Sequence, residues 1–575
     1  MKLLAMASTH LLSRPDSGAP LPFRRFSRAW DGAGGSLFAL RLCGVLALTI
    51  SILCVPLRLL AQARDVTYMQ LLYADDTPQN WLMYGGDYKS QRFSRLTQIN
   101  RTNVHNLRPA WIYQPNRPLQ PFESSPIVVD GVMYVTEPLS TVTALDARLG
   151  TKIWSWSPKM PDRIYTIGVH RSNRGVAVFG NTVYTETLDA HLVALDATTG
   201  AVKWSVHVDE NNQGYAMTGA PRVLDGEVIV GISGGDVGIR GFIDAYDAKT
   251  GKHLWRLWTI PVPGEPAAET WGKDMTGTGG AGTWGTGSYD PELNLLYWTT
   301  GNPAPDYNGA NRPGDNLYTD CVLAIDPDAG KIKWYFQFTP HDTHDWDSIQ
   351  VPVLFDAMIY GKPRKLLAQA NRNGFYYILD RVTGKFVAGL PFVTQTWAKR
   401  LDANGRPILL PDIEPTPEGR LVHPDGHGGT NWNSPSYSPQ TKLFYVSARE
   451  TGAYTVEGAP KVHFPDFGGG GRIDLTGDEV YGAIRALEAT TGKMRWEYRM
   501  LAPAETSTLA TAGGLVFAMS NEGNFFALDA ETGKLLWEFA VGGTGAESNP
   551  ITYEIGGKQY LITAAGNCFA AFTLP

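Results

Sequence analysis

The sequence predicts an all-β chain folded as an eight-bladed β-propeller with Trp-containing repeats, and three observations predict it. The first is composition: 575 residues include 62 Gly, 38 Pro and 17 Trp, with 18% charged. Gly and Pro interrupt helices, so that mix favours short strands and turns. The second is a recurring phrase, Ala144-Leu-Asp146 to Gly150 and Trp154. It returns around Trp204, Trp255, Trp334, Trp496 and Trp537, with a weakened copy at Asp380, Gly384 and Val387. Each copy reads as a strand, an Asp-x-x-x-Gly turn (Glu488 replaces Asp once) and a second strand opening near the Trp. The acidic side chain caps the turn and the Gly supplies a positive φ. The third lies at the two ends of the repeat region. After Trp537 come three strand-like runs with no fourth, and Leu107-Arg-Pro-Ala-Trp111-Ile-Tyr is a lone strand near the start. Pairing the two turns seven units into eight and buries both open edges.

Taken in order, residues 1–63 carry Arg14, Arg24, Arg25, Arg28 and Arg41, then an apolar run from Cys43 to Leu57, then Ala61-Gln62-Ala63. A basic region, a short apolar core and a small-x-small site read as a signal peptide cut after Ala63, which predicts a periplasmic protein. The apolar run is short of the roughly 20 residues that span a bilayer. Residues 64–77 read as a linker and 78–575 as the propeller. Apolar runs such as Pro126–Val129 and Met133–Thr136 precede most copies, giving four strands per unit at blade spacing. Gly/Pro-rich insertions at about 388–430 and 450–478 read as surface loops. Beyond the leader acidic residues outnumber basic ones and no Lys/Arg run occurs, which excludes a nucleic-acid partner. Only Cys321 and Cys568 remain there, too few for a disulfide network.

In such units the connections before the innermost strands and those between the second and third strands emerge on one face. Glu123, Arg174, Thr218, Trp284, Asp345 and Asn431 fall in the first type. Ser233-Gly234-Gly235-Asp236, Asn302 and Arg372 fall in the second. Singly, each is what a solvated loop also carries; together they point to a ligand site on that face. The densest stretch is Thr339-Pro-His341-Asp342-Thr-His344-Asp345-Trp346-Asp347. Its three carboxylates repel one another unless a cation or proton intervenes. With Asp236 and Asn302 they offer oxygen ligands suited to a hard ion such as Ca²⁺. A zinc site on His341 and His344 lacks a completing Cys or third His. There is no Walker loop, G-x-S-x-G or H-E-x-x-H, and no C-x-x-C-H for a covalent haem.

From about residue 78 to 574 the chain resembles the quinoprotein dehydrogenases of the methanol/ethanol type, which depend on pyrroloquinoline quinone (PQQ). The resemblance rests on the Trp repeats and on Ser172-Asn-Arg174-Gly, Thr300-Gly-Asn302-Pro-Ala-Pro, Arg312-Pro-Gly-Asp-Asn316, Thr339-Pro-His-Asp342 and Asn371-Arg372-Asn-Gly. It implies that Glu123, Arg174, Thr218, Ser233, Gly234, Gly235 and Asn431 hold the quinone's carboxylates and ring nitrogens. Trp284 is then its stacking platform and Trp432 a further contact. Arg372 would bond the reactive carbonyl oxygens, and Asp345 would be the catalytic base. Asp236, Asn302, Asp345 and Asp347 would bind the metal, Ca²⁺ being expected and a lanthanide the alternative that the extra carboxylate Asp347 raises. Two departures alter the lid over the cofactor, Gly168-Val169 where many members have a Cys pair and Glu505 where they have Trp, and a third shortens a metal ligand, Asp236 where they have Glu.

The resemblance therefore implies oxidation of an alcohol, polyol or sugar hydroxyl by hydride transfer to the quinone. Without a haem motif, electrons would pass to a separate acceptor, cytochrome c being the expected one. The alternative is a cofactor-free propeller acting as an envelope binding or assembly scaffold, which has no need of Asn302, Asp345, Arg372 and Trp284 together.

Overall fold

The computed structural model describes residues 65–115, 122–162, 164, 171–273, 278–359, 361–461, 464–465, 470–476, 480–503, 505–542 and 547–575. The signal-peptide reading of residues 1–63 and the lid residues Gly168 and Val169 fall outside them. Among the described residues the fold is all-β, with one α-helix of five residues, Tyr68–Leu72. No helix there is long and apolar enough to cross a membrane.

Beside two small sheets, the described strands form seven four-stranded antiparallel sheets and one in which four antiparallel strands carry a fifth, parallel one; these eight are numbered I to VIII here. Sheet I holds Ile127–Val129, Val132–Glu137, Thr141–Asp146 and Lys152–Trp156. Sheets II to V repeat the pattern and end in the outer strands Val202–His207, His253–Trp258, Lys331–Gln337 and Phe386–Pro391. Sheets VI and VII end in Met494–Met500 and Leu535–Ala540. In sheet VIII, Ile551–Ile555, Lys558–Ala565 and Cys568–Thr573 receive their fourth strand from Arg108–Tyr113, as the orphan Trp111 run predicts. Five of the innermost strands are buried throughout and the other three are buried where they begin, while exposed positions concentrate on the outer strands, as expected where sheet faces pack together and one edge meets water.

The repeat phrase has a physical reason. Asp146 accepts from the Arg148 and Leu149 amides at 2.9 and 3.0 Å, closing the turn. A bulge recurs in all eight outer pairings, next to the Trp or the residue in its place. It aims the indole at the neighbouring sheet. There the Trp154 indole donates to the Ala197 carbonyl at 3.0 Å and covers Gly200 (φ +73°) so closely that a Cβ would lie 2.6 Å from the ring. Trp111 on Gly150, Trp204 on Gly251, Trp255 on Gly330, Trp334 on Gly384 and Trp496 on Gly533 repeat the contact. Where the weakened copy has Val387, Tyr376 packs on Gly492 instead, and its hydroxyl donates to Ala489 O at 2.9 Å.

Two parts depart from the sequence reading. The supposed linker is ordered: Val66 exchanges backbone bonds with Gly180, and Thr67 and Gln70 cap the short helix. Nor are the insertions plain loops. Ala398–Leu401 pairs with Pro407–Leu409, and Arg420–Val422, Ala453–Val456 and Gly471–Asp474 form a three-stranded sheet. These strands are too short for their alternation to register, and the partners within the three-stranded sheet lie well apart in sequence.

The segment from Gln79 to Ser94 crosses the inner strands. Trp81 pairs with Val128, Tyr88 Oη donates to Val223 O at 2.7 Å, and Gln91 Nε2 donates to Leu354 O at 2.7 Å. Phe93–Ser94 adds a parallel strand to sheet VII. The fully buried Arg92 donates to Tyr84 O, Thr508 O and Pro550 O.

Candidate active site

The connections that precede innermost strands and those that link second to third strands do meet on one face, around a cavity of about 410 Å³. Arg174, Thr218, Ser233, Gly234, Gly235, Asp236, Trp284, Asp345, Asp347, Arg372, Asn431 and Trp432 line it. Glu123 and Asn302 are buried beside it, tied to lining residues. Every residue that the resemblance assigns to the site is thus brought to this one place.

At one end Glu123 Oε2 lies 2.7 Å from Arg174 Nη2, Arg174 Nη1 donates to Thr218 Oγ1 at 2.8 Å, and Thr218 Oγ1 is 2.8 Å from Ser233 Oγ. The Arg174 guanidinium sits over both indoles, 4.4 Å from the Trp284 ring centre and 4.7 Å from that of Trp432, so this cation faces the predicted platform. Gly234 closes the cradle. At φ +114° any Cβ there would lie 2.1 Å from the Gly214 carbonyl oxygen, so only Gly fits.

At the other end Arg372 organises the carboxylates. Its Nη1 donates to Asp345 O at 2.9 Å and lies 3.5 Å from Asp345 Oδ1. Its Nη2 donates to Asn431 Oδ1 at 3.0 Å and lies 3.3 Å from Asp347 Oδ2. Asp345 has φ +64°, a left-handed conformation that Asp tolerates better than most residues. Burial pushes its carboxyl well up and Asp236 and Asp347 add to the shift, against the pull of Arg372 and Arg472. Asp347 Oδ1 accepts from the Asn302 amide at 3.0 Å, which fixes it against the Thr300–Pro303 turn.

The third carboxylate of the dense stretch is otherwise engaged. Asp342 accepts from the His344 and Trp346 amides and shapes the loop. His344 stacks on Trp346 and bonds Ile413 O, and His341 bonds Gly314 O, so neither histidine faces the cavity.

Sequence reasoning missed Asp306, Arg472 and His427. Asp306 is buried and accepts from Asn302 Nδ2 at 2.7 Å. Burial, then Asp236, Asp345 and Asp347, push its pKa well up. It directly follows the Thr300-to-Pro305 motif, but nothing in the spacing marks its bond to Asn302. Arg472 Nη1 lies 3.6 Å from Asp345 Oδ2, but it comes from an insertion with no sequence pattern. His427 Nδ1 lies 3.2 Å from Glu505 Oε1, and Arg449 Nη1 lies 3.4 Å away. Burial would raise the Glu505 carboxyl; the His427 bond and the Arg449 charge outweigh it and hold it at about 2. The Glu505 departure therefore replaces an aromatic cover with a fixed anion.

The lining fits a flat polyanion and a hard cation. Two buried donors, Arg174 Nε and Arg372 Nε, have no hydrogen-bond partner within the protein, and two indole faces flank one of these arginines. Asp236, Asn302, Asp345 and Asp347 supply oxygen donors only. Among the described residues no three His, Cys, Asp or Glu side chains form a ready-made cage. The Arg372 guanidinium pairs with both Asp345 and Asp347 instead.

Comparison with known proteins gives a consistent result. Residues 81–394 match the β-propeller domain model of glucose/ethanol/alcohol dehydrogenases that use PQQ, and residues 467–573 match a model of the outer membrane protein assembly factor BamB. The chain is 39% identical to the quinoprotein alcohol dehydrogenase PedH of Pseudomonas putida, over 87% of this chain and 88% of that one. It is 38% identical to a quinohemoprotein alcohol dehydrogenase of Comamonas testosteroni, over 85% and 72%. A europium-containing methanol dehydrogenase superposes with a TM-score of 0.81 at 30% identity, covering 88% of this chain and all of that one. With its propeller-type fold, its cavity and these relatives, the chain belongs to the PQQ-dependent quinoprotein alcohol dehydrogenases.

Proposed function

We propose that the protein is a periplasmic, PQQ- and metal-dependent dehydrogenase that oxidises an alcohol, polyol or sugar hydroxyl and passes the electrons to a separate acceptor, a cytochrome c. The observation that carries the reading is the convergence of Arg174, Trp284, Asp345 and Arg372 on one cavity. Glu123, Arg174, Thr218, Ser233, Gly234, Gly235, Asn431 and Arg372 would hold PQQ by its polar groups, with Trp284 as its stacking platform and Trp432 as a further contact. Asp236, Asn302, Asp345 and Asp347 would hold the cation. When bound, the quinone supplies the hydride acceptor and the cation supplies Lewis acidity.

The protein's own part is electrostatic and positional. Asp345 takes the substrate hydroxyl proton on a carboxylate oxygen. Arg372 and Arg472 hold that carboxylate from two sides and keep it aimed. Arg372 also sets a positive charge where negative charge accumulates on reduction. The partly open lining by His427, Glu505 and Arg472 suits a hydrophilic substrate. A scaffold would leave these buried charges without purpose.

We also read sheets I to VIII as the eight blades of one closed ring. In support, the Trp–Gly contacts and their Tyr376 substitute lead from each sheet to the next, from VIII through Trp111 to I and onward to VII. Between VII and VIII, Trp537 meets Phe572 at 5.4 Å.

The test is reconstitution. Protein supplied with PQQ and either Ca²⁺ or La³⁺ is expected to acquire a quinone absorption band and to reduce a dye acceptor when given alcohols or polyols. Failure to bind PQQ with either ion would overturn the reading.

A further inference from the structure

Asn302 is a neutral ligand candidate with an ambiguity built into its side chain. A planar amide can present either its oxygen, which binds a cation, or its NH₂, which repels one. The neighbours decide. Asn302 Nδ2 lies 2.7 Å from Asp306 Oδ1 and 3.3 Å from Pro303 O, both acceptors, so the nitrogen end is engaged and the oxygen end is left for a ligand. The Asn302 backbone N–H holds Asp347 Oδ1 at 3.0 Å, so one residue links two carboxylates.

The loop carrying Asp306 is held in turn. The buried Arg312 donates to Pro305 O at 2.8 Å and to Asp342 O at 2.6 Å, clamping it to the Asp342–Asp347 stretch. Asp306 is thus held rigidly against Asn302, within the electrostatic reach of Asp236, Asp345 and Asp347.

Resting on the metal-dependent reading above, we propose that Asp306 is a positioning residue of the metal centre: it accepts from Asn302 Nδ2 and so fixes the Asn302 amide with its oxygen towards the cation. Asp306→Asn keeps an oxygen that can accept from Asn302 Nδ2. Asp306→Ala removes it.

The experiment uses the full protein loaded with PQQ and reads metal binding directly. Tb³⁺ binding is followed by its luminescence sensitised by the site tryptophans, Ca²⁺ binding by calorimetry, and bound water by Eu³⁺ lifetimes in H₂O and D₂O. Asp306→Ala should weaken Tb³⁺ about 10–100-fold, the usual penalty for losing a partner that orients a ligand. It should also admit an additional water to Eu³⁺ as the Asn302 oxygen is lost. Asp306→Asn, which keeps an acceptor for Asn302 Nδ2, should keep the wild-type water count and Tb³⁺ affinity. An Asp306→Ala protein matching wild type with both ions and in water count overturns the inference alone. Should the Ala variant fail to fold, as judged by circular dichroism, Asp306→Leu, which keeps the bulk but offers no acceptor, takes its place, and a wild-type water count and Tb³⁺ affinity in it overturn the inference. A wild-type protein that binds PQQ but neither ion overturns the metal reading and this inference with it.

Discussion

At the rim of the sheets one contact is made again and again, an indole over a glycine, mostly with its N–H on a neighbouring carbonyl, whereas around the cavity the sheets contribute no common repeat. Sheet II brings Arg174 to the cavity, sheet III Thr218 and sheet IV Trp284, each on the connection before its innermost strand. The rim is apolar and largely satisfied: five of the repeat indoles, Trp111, Trp154, Trp204, Trp255 and Trp496, donate to the next sheet at 2.7–3.3 Å, while Trp334 covers Gly384 with its N–H unpartnered. The centre is charged and includes buried donors without protein partners. Repetition at the rim holds the sheets in place, and that frees the central connections to diverge into chemistry.

If that division is right, changes at the centre should remove turnover and spare the fold. Asp345→Asn is expected to lower kcat by about 10²–10⁴-fold, the worth of a general base, with the thermal midpoint nearly unmoved. Dye-linked alcohol oxidation and a melting curve on the same preparation check it; a comparable fall in stability would break the distinction. The rim should behave in the opposite way. Trp204→Ala, which uncovers Gly251 and removes the bond to Ala248 O, should cost about 3–5 kcal/mol in urea unfolding while the folded fraction keeps its kcat.

Glu186 sharpens the boundary, because it lies at the end of a sheet II strand yet accepts from the Gly219 amide beside the site at 2.9 Å. Burial raises its pKa to about 8. The folded state then keeps the proton up to about pH 8, while the unfolded chain releases it near the ordinary 4.5. Stability must fall as pH rises between these values. Glu186→Gln should remove that slope, so the variant's melting temperature gains on wild type from pH 5 to pH 8. The smallest expected effect belongs to Glu505, whose pKa is depressed to about 2. Its contribution is present above about pH 4.5 and fades towards pH 2, so Glu505→Gln should be less stable than wild type at pH 6 and should converge with it in acid.

The same division explains what could be read in advance. The rim was legible because it repeats: Asp146, Gly150 and Trp154 obey one local rule, and so do their copies. Even Val387, which breaks the rule, leaves the turn at Asp380 and Gly384 intact. The assigned site residues were legible because their motifs resemble a known family. Arg472 was not, since an insertion strand brings it to Asp345 from more than a hundred residues away. Asp306 escaped because its importance lies in a hydrogen bond to another side chain, which spacing does not encode. The role of Arg174 between two rings was equally hidden, as cation and platforms come from three separate connections.

Finally, the pairing of Arg108–Tyr113 with Cys568–Thr573 and the anchoring of Arg92 on Pro550 have a kinetic consequence. These contacts span more than 450 residues of chain, so the entropy of closing that loop is met before they return any stability. A ribosome would have released nearly the whole polypeptide before the last sheet could be completed. Folding should accordingly be slow and late, with sheets I to VI able to assemble first and the early-made Arg108–Tyr113 strand unpaired until Cys568–Thr573 reaches it.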